Sequence, residues 1–190
     1  PGTVARTASL IFDHGGAIAE AAQFDDTETG RFFMRVVFAM TEQRNADALA
    51  DAFRPMAAEL GMQLNIRPRA ARRRVLLLAS KFDHCLTDLL YRWRIGELRM
   101  DIAGVVSNHG REAYARHDLE EVPFHHLPVT AQTKMEQEAA IYRLIEDNDV
   151  DLVVLARYMQ ILSDGLAAKL VGRCINIHHS FLPGFKGAKP

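Results

Sequence analysis

The sequence predicts an α/β protein in two parts, a small α+β unit followed by a doubly wound, mostly parallel sheet. Three observations carry this expectation. Short, uniformly apolar runs at residues 75–79, 102–106 and 152–156 have the pattern of central parallel strands. Segments with apolar residues three and four apart separate them, so strand and helix alternate and right-handed crossovers follow. Ahead of the basic run at residues 68–74 the pattern changes: residues 31–40 alternate, with Phe32, Met34, Val36, Phe38 and Met40 on one face and Arg31 and Arg35 on the other.

The first part reads, in order, as helix, strand, strand, helix, strand. Residues 3–14 suit a helix with Val4, Ala8, Ile11 and Phe12 on one side and Gly15-Gly16 as a stop. Residues 17–24 read as a strand, residues 25–30 as a polar turn, and residues 31–40 as the clearest strand in the chain. Asn45 is placed to cap a second helix whose stripe is Leu49, Phe53, Met56 and Leu60. Pro55 lies within it and is expected to kink it or reset its first turn. Gly61 ends that helix, and residues 62–67 complete the unit as a short strand.

Residues 68–74 form the expected boundary, dividing a domain at 1–67 from one at 75–190. The run lacks interleaved aromatics and precedes a buried-looking strand, so a solvated linker fits it better than a phosphate-contacting patch. The second part then reads as strand 75–79, helix 82–94, strand 102–106, strand 124–127, helix 133–147, strand 152–156, helix 163–171 and strand 174–177. In open sheets of this kind ligands bind outside the strand C-termini at the switch point. Asn176, His178, Ser107-Asn108-His109 and Arg157-Tyr158-Met159 would all face that rim.

Composition bounds the function classes. A chain of 190 residues, 48% hydrophobic, can pack one or two cores, and a net charge of −1 gives no global pull toward nucleic acid or membrane. Cys85 and Cys174 form no CxxC, which excludes a disulfide scaffold and points to a reducing cytoplasm. Neither a charged-then-apolar leader nor a long uncharged apolar run is present, so secretion and membrane insertion are not expected. The start at Pro1-Gly2, without a methionine, suits a piece of a longer polypeptide.

Several cofactor signatures are missing. There is no GxGxxG, GxxxxGK[ST], HExxH or GxSxG. The adjacent pairs His125-His126 and His178-His179 diverge on a strand, so a shared metal is not expected. His84-Cys85 hints at a reactive thiol, but a buried helical cysteine accounts for it as well.

What remains is the stretch from Cys174 to Pro183. An apolar strand rises to Asn176 and His178, spaced i and i+2 and so on one face with Cys174, and breaks at Ser180-x-Leu182-Pro183. An asparagine amide can donate to a developing oxyanion, and a histidine exchanges a proton near neutral pH. Together at a strand end they read as a catalytic pair for carbonyl chemistry. A purely hydrogen-bonding structural role is the plainer alternative for each taken singly.

Residues 155–162, 175–183 and 187–190 together resemble the folate-dependent formyltransferase superfamily, whose pattern is Asn-x-His at a strand end, then Ser-x-Leu-Pro, then a Gly-Ala turn. His178-His179-Ser180 is most similar to the deformylase branch, which hydrolyses the formyl group. So is Ser80-Lys81-Phe82-Asp83-His84-Cys85-Leu86, where the ribonucleotide transformylases carry a Gly-Ser-Asn phosphate loop. The order of elements before residue 68 resembles an ACT regulatory module, a ferredoxin-like layout, with its first strand missing.

The resemblance implies hydrolysis of 10-formyltetrahydrofolate to formate and tetrahydrofolate, which would supply formate to purine biosynthesis and balance one-carbon pools. Asn176 and His178 would be the catalytic residues, with a third, an Asp, beyond Pro190. Met159, Gln160, Ile161 and Leu162 would hold the pterin, and His179 and Ser180 would line the substrate site. It implies no metal and no bound cofactor, a folate and water as partners, an amino-acid effector at the ACT-like part, a homo-oligomer and a cytoplasmic location. An amine formyltransferase of the same superfamily and a non-enzymatic amino-acid sensor are the alternatives.

Overall fold

The structure, a computed structural model, describes residues 2–40, 46–114, 119 and 121–177. The chain divides into two compact units, Pro1–Ala71 and Arg72–Pro190.

The first unit contains α1 (Thr3–Asp13), β1 (Gly16–Asp26), β2 (Arg31–Met40) and α2 (Ala46–Leu60). Helix α1 stops where Gly15 takes a φ of 78°, a left-handed conformation that glycine adopts without steric cost. Strands β1 and β2 pair antiparallel from Gly16↔Met40 to Asp26↔Arg31, with a bulge between Ile18 and Glu20. Their turn is held by the Asp26 carboxylate, which accepts the backbone N–H groups of Glu28 and Thr29. The Thr29 hydroxyl donates to the same carboxyl group and holds it below the usual carboxylate range.

The apolar face of β2 lies where its alternation places it. Val36, Phe38 and Met40 pack on a core of Ile11, Leu49, Phe53 and Met56, which joins α1 to the stripe of α2. On the far face Phe33 meets Phe24 across the strand pair, with ring centroids 6.5 Å apart. Helix α2 ends in a Schellman arrangement: Gly61 sits at φ 62°, and the Met62 N–H donates to the Ala57 carbonyl at 2.8 Å.

Pro55 lies inside α2 and does not reset its start, which leaves the kink as the remaining expectation. One expectation for this unit needs correction. The strand expected over residues 62–67 does not form, and residues 62–68 carry no ladder. Met62 and Ile66 nevertheless pack on the core. Alternation in a sequence records which side chains are buried, whereas a strand also needs a neighbouring backbone to pair with. The expected cap Asn45 lies outside the described residues.

The second unit contains β3 (Arg73–Ala79), α3 (His84–Arg94), β4 (Met100–Ser107), a single 3-10 turn at Arg111–Tyr114, β5 (Phe124–His126), α4 (Lys134–Asp147), β6 (Leu152–Ala156), α5 (Asp164–Lys169) and β7 (Cys174–Asn176). The strand order is β5-β4-β3-β6-β7, and every pair is parallel. Strand β3 begins two residues earlier than the expected linker allows. Arg73 and Arg74 are already in register with Met100 and Asp101, and the Arg74 N–H donates to the Asp151 carboxylate at 2.8 Å.

Pleating explains why β3 is apolar throughout. Val75, Leu77 and Ala79 point into one core with Leu86 and Leu90 of α3 and with Tyr114. Leu76 and Leu78 point into another with Ile141 and Ile145 of α4 and Leu166 and Leu170 around α5. Each buried leucine contributes roughly 1.5–3 kcal/mol, so burial on both faces makes β3 the anchor of the unit. From β3 the chain builds outward to β4 and β5, then returns to add β6 and β7 on the other side. The switch point therefore falls between β3 and β6.

Candidate active site

Three strand ends meet at Ser80, the first residue after β3, which is 3% exposed. Its Oγ donates to Asn108 Oδ1 at 2.8 Å, just past β4, and accepts the Met159 N–H at 3.0 Å, just past β6. The Ser80 carbonyl accepts the Tyr114 hydroxyl proton at 2.6 Å. A phenol has one proton, so the 2.8 Å contact between Ser107 Oγ and Tyr114 Oη must have Ser107 as donor. Ser107 Oγ in turn accepts the His109 N–H at 3.0 Å. Burial raises the Tyr114 pKa, which keeps that proton in place.

The segment after β6 leaves the sheet through an unusual residue. Arg157 has a φ of 58°, in the left-handed region that few non-glycine residues occupy. Its guanidinium lies 4.3 Å from the centroid of the Phe82 ring. Its Nη1 is buried and has no hydrogen-bond partner among the described residues. Next, Tyr158 is buried and donates to Gln137 Oε1 at 3.2 Å. Burial pushes its hydroxyl up to about 12.

Met159 and Ile161 are 45% and 74% exposed, so their side chains are open to a ligand. Leu162 packs against the core beneath the sheet, which gives it a structural role there. The segment closes at Ser163, whose Oγ caps α5 by accepting the Leu166 N–H at 3.2 Å. The Ser163 N–H donates to Glu138 Oε1 at 2.8 Å, and its hydroxyl donates to Glu138 Oε2.

Strand β7 lies beside β6, and Asn176 is in register with Leu155. The ladder continues one step further, with the Ile177 N–H donating to the Leu155 carbonyl at 3.1 Å. Asn176 is exposed at the strand end, while Cys174, two residues earlier, is half-buried, and burial pushes its thiol up. The expected catalytic His178, with His179 and Ser180, lies outside the described residues.

The structure thus brings Asn176, the 159–162 segment and Ser80 to the C-terminal ends of β7, β6 and β3. Asn108, expected to face the ligand rim, spends its side-chain carbonyl oxygen on Ser80. Gln137 and Glu138 were not anticipated, yet both are buried and both serve the segment after β6. A signal for them exists: Gln137 heads the stripe continued by Ile141 and Ile145, where a polar side chain needs a buried partner. Among the described residues no group of three histidine, cysteine or acidic side chains could hold a metal.

Residues 73–190, more than half of the chain, match the family model described as Formyl transferase. The chain belongs to the formyl transferase family. The relatives it resembles along its whole length include formyltetrahydrofolate deformylases. It is 45% identical over 190 residues to the formyltetrahydrofolate deformylase of Corynebacterium sp. (strain P-1), covering 100% of this chain and 66% of that protein. The crystal structure of the formyltetrahydrofolate deformylase from Burkholderia mallei ATCC 23344 is 49% identical, with a TM-score of 0.85 over 97% of this chain and 65% of the other. The deformylase structure from Pseudomonas putida KT2440 is 40% identical, with a TM-score of 0.86 over 100% and 67%. The formyl transferase match begins at Arg73, where β3 begins. The chain spans just under two thirds of the length of the Corynebacterium relative.

Proposed function

We propose that the protein hydrolyses 10-formyltetrahydrofolate to formate and tetrahydrofolate. The observation that carries this reading is the placement of Asn176 at the end of β7, in register with Leu155, beside a segment pinned at the switch point. Likeness to deformylases along the whole chain supports it.

In this reading the Asn176 amide donates to the formyl oxygen and stabilises the tetrahedral oxyanion. Water adds to the formyl carbon, the bond from that carbon to N10 breaks, N10 takes up a proton, and formic acid leaves as formate. His178 supplies or stabilises the proton in transit, and an Asp beyond Pro190 completes the set. Water serves as nucleophile without a metal or bound cofactor. Met159, Gln160, Ile161 and Leu162 hold the pterin, with His179 and Ser180 at the edge of the site.

The first unit is read as an ACT-type regulatory module that takes an amino-acid effector, in a cytoplasmic homo-oligomer that supplies formate for purine synthesis and balances one-carbon pools. Its helix-hairpin-helix order supports the module reading. No helix among the described residues is long and apolar enough to cross a membrane.

Formate release by the full-length protein from 10-formyltetrahydrofolate, with no amine present, tests the reaction. Formate and tetrahydrofolate should appear in equal amounts. Formylation of an added primary amine without formate release would reassign the chain to transfer. Neither product, together with amino-acid binding, would make it a sensor.

A further inference from the structure

We infer that Ser80 and Glu138 are positioning residues that lock the segment between Arg157 and Ser163 into the conformation that receives a flat, donor- and acceptor-edged ring. The inference rests on the proposed folate function. Two backbone N–H groups four residues apart, those of Met159 and Ser163, are each spent on a buried side chain from a different element. Ser80 comes from the end of β3, and Glu138 from α4.

Glu138 is 7% exposed, and both of its carboxylate oxygens go to Ser163. Burying a carboxylate costs free energy unless its oxygens are hydrogen-bonded, and here the Ser163 N–H and hydroxyl satisfy one oxygen each. Tyr158, directly before the first pin, is tied through Gln137 to the carbonyl of Leu127.

Between the pins the peptide groups behave differently. No described residue hydrogen-bonds to the backbone of Gln160, Ile161 or Leu162. Three consecutive peptides fixed at both ends and without a hydrogen-bond partner among the described residues present a row of donors and acceptors like the edge of a strand. A heteroaromatic ring with alternating N–H, C=O and ring-nitrogen positions is the ligand class that such a row recognises. Arg157 enters the segment at φ 58°, a conformation that persists in an arginine only where its surroundings over-determine it. Ser80 adds a further constraint, because its hydroxyl ties the same segment to Asn108 and so to the end of β4.

The test uses the full-length protein and the variants S80A, E138A and E138Q. Each is assayed for KM and kcat with 10-formyltetrahydrofolate and for tetrahydrofolate affinity by calorimetry. S80A and E138A each remove one pin and should weaken tetrahydrofolate binding about tenfold, raising KM similarly while kcat changes less than about threefold. E138Q keeps an acceptor for the Ser163 N–H and should bind within about threefold of the wild type.

Folded S80A and E138A proteins with unchanged affinity and KM would overturn the inference while leaving the deformylase reading intact. A drop in kcat at constant KM would also overturn it, since that marks loss of folded enzyme. If S80A does not fold, the E138A and E138Q pair decides. A wild-type protein that neither binds tetrahydrofolate nor releases formate would overturn the functional reading and this inference together.

Discussion

Tyr158 donates its hydroxyl to Gln137 Oε1 at 3.2 Å, joining the end of β6 to the first turn of α4. Burial raises this phenol from its ordinary value of 10.0 to about 12. The folded state therefore keeps a proton that the unfolded chain releases first. The contribution is fully present below about pH 10 and is lost as pH rises toward about 12. It amounts to at most about 3 kcal/mol. Urea unfolding at rising pH should show this decline. Tyr158→Phe should flatten it and cost about 1 kcal/mol at neutral pH, because Gln137 Oε1 loses its donor.

Asn176 is exposed, and its backbone rather than its side chain completes the β6–β7 ladder. Asn176→Ala should leave thermal stability within about 0.5 kcal/mol of the wild type. Loss of an oxyanion donor should lower the rate of formate release about 100- to 1000-fold. Turnover within a few-fold of the wild type would remove Asn176 from the mechanism.

Leu78 is fully buried on the α4 side of β3. Leu78→Ala should cost about 2–5 kcal/mol, the sum of lost transfer energy and the cavity left behind. The measurement is the urea midpoint of the full-length protein at constant m-value.

Gly16 opens β1 against the last turns of α1. A Cβ there would lie 2.5 Å from Ile11 Cγ2 and 3.0 Å from the Ile11 carbonyl oxygen. Since Ile11 is in the core of the first unit, Gly16→Ala should destabilise that unit by about 1–3 kcal/mol. Limited proteolysis should then cut within residues 1–71 while formate release is retained.

The elements of the second unit were legible because parallel strands buried on both faces must be apolar at every position. Val75 to Ala79 and Leu152 to Ala156 meet that condition. Helices α3 and α4 were legible from the spacing of Leu86 with Leu90 and of Ile141 with Ile145. Residues 62–67 misled because Met62, Leu64 and Ile66 alternate in the sequence, whereas only Met62 and Ile66 pack on the core and no strand pairs with the segment. Basic residues at 73 and 74 hid the start of β3, since a charged side chain at a strand's edge says little about its backbone. The place of Asn176 at a strand end was legible from the apolar run that precedes it.

By itself the sequence determined the alternation of strand and helix, the placement of the candidate residues at strand C-termini and the likeness to formyl transferases. All three depend on side-chain period and local motif, which are written along the chain. Only the tertiary structure decided that Ser80 holds Met159 and that Glu138 holds Ser163. These pairs are 79 and 25 residues apart. Their geometry depends on strand order, and strand order follows from how whole faces pack together rather than from any local pattern.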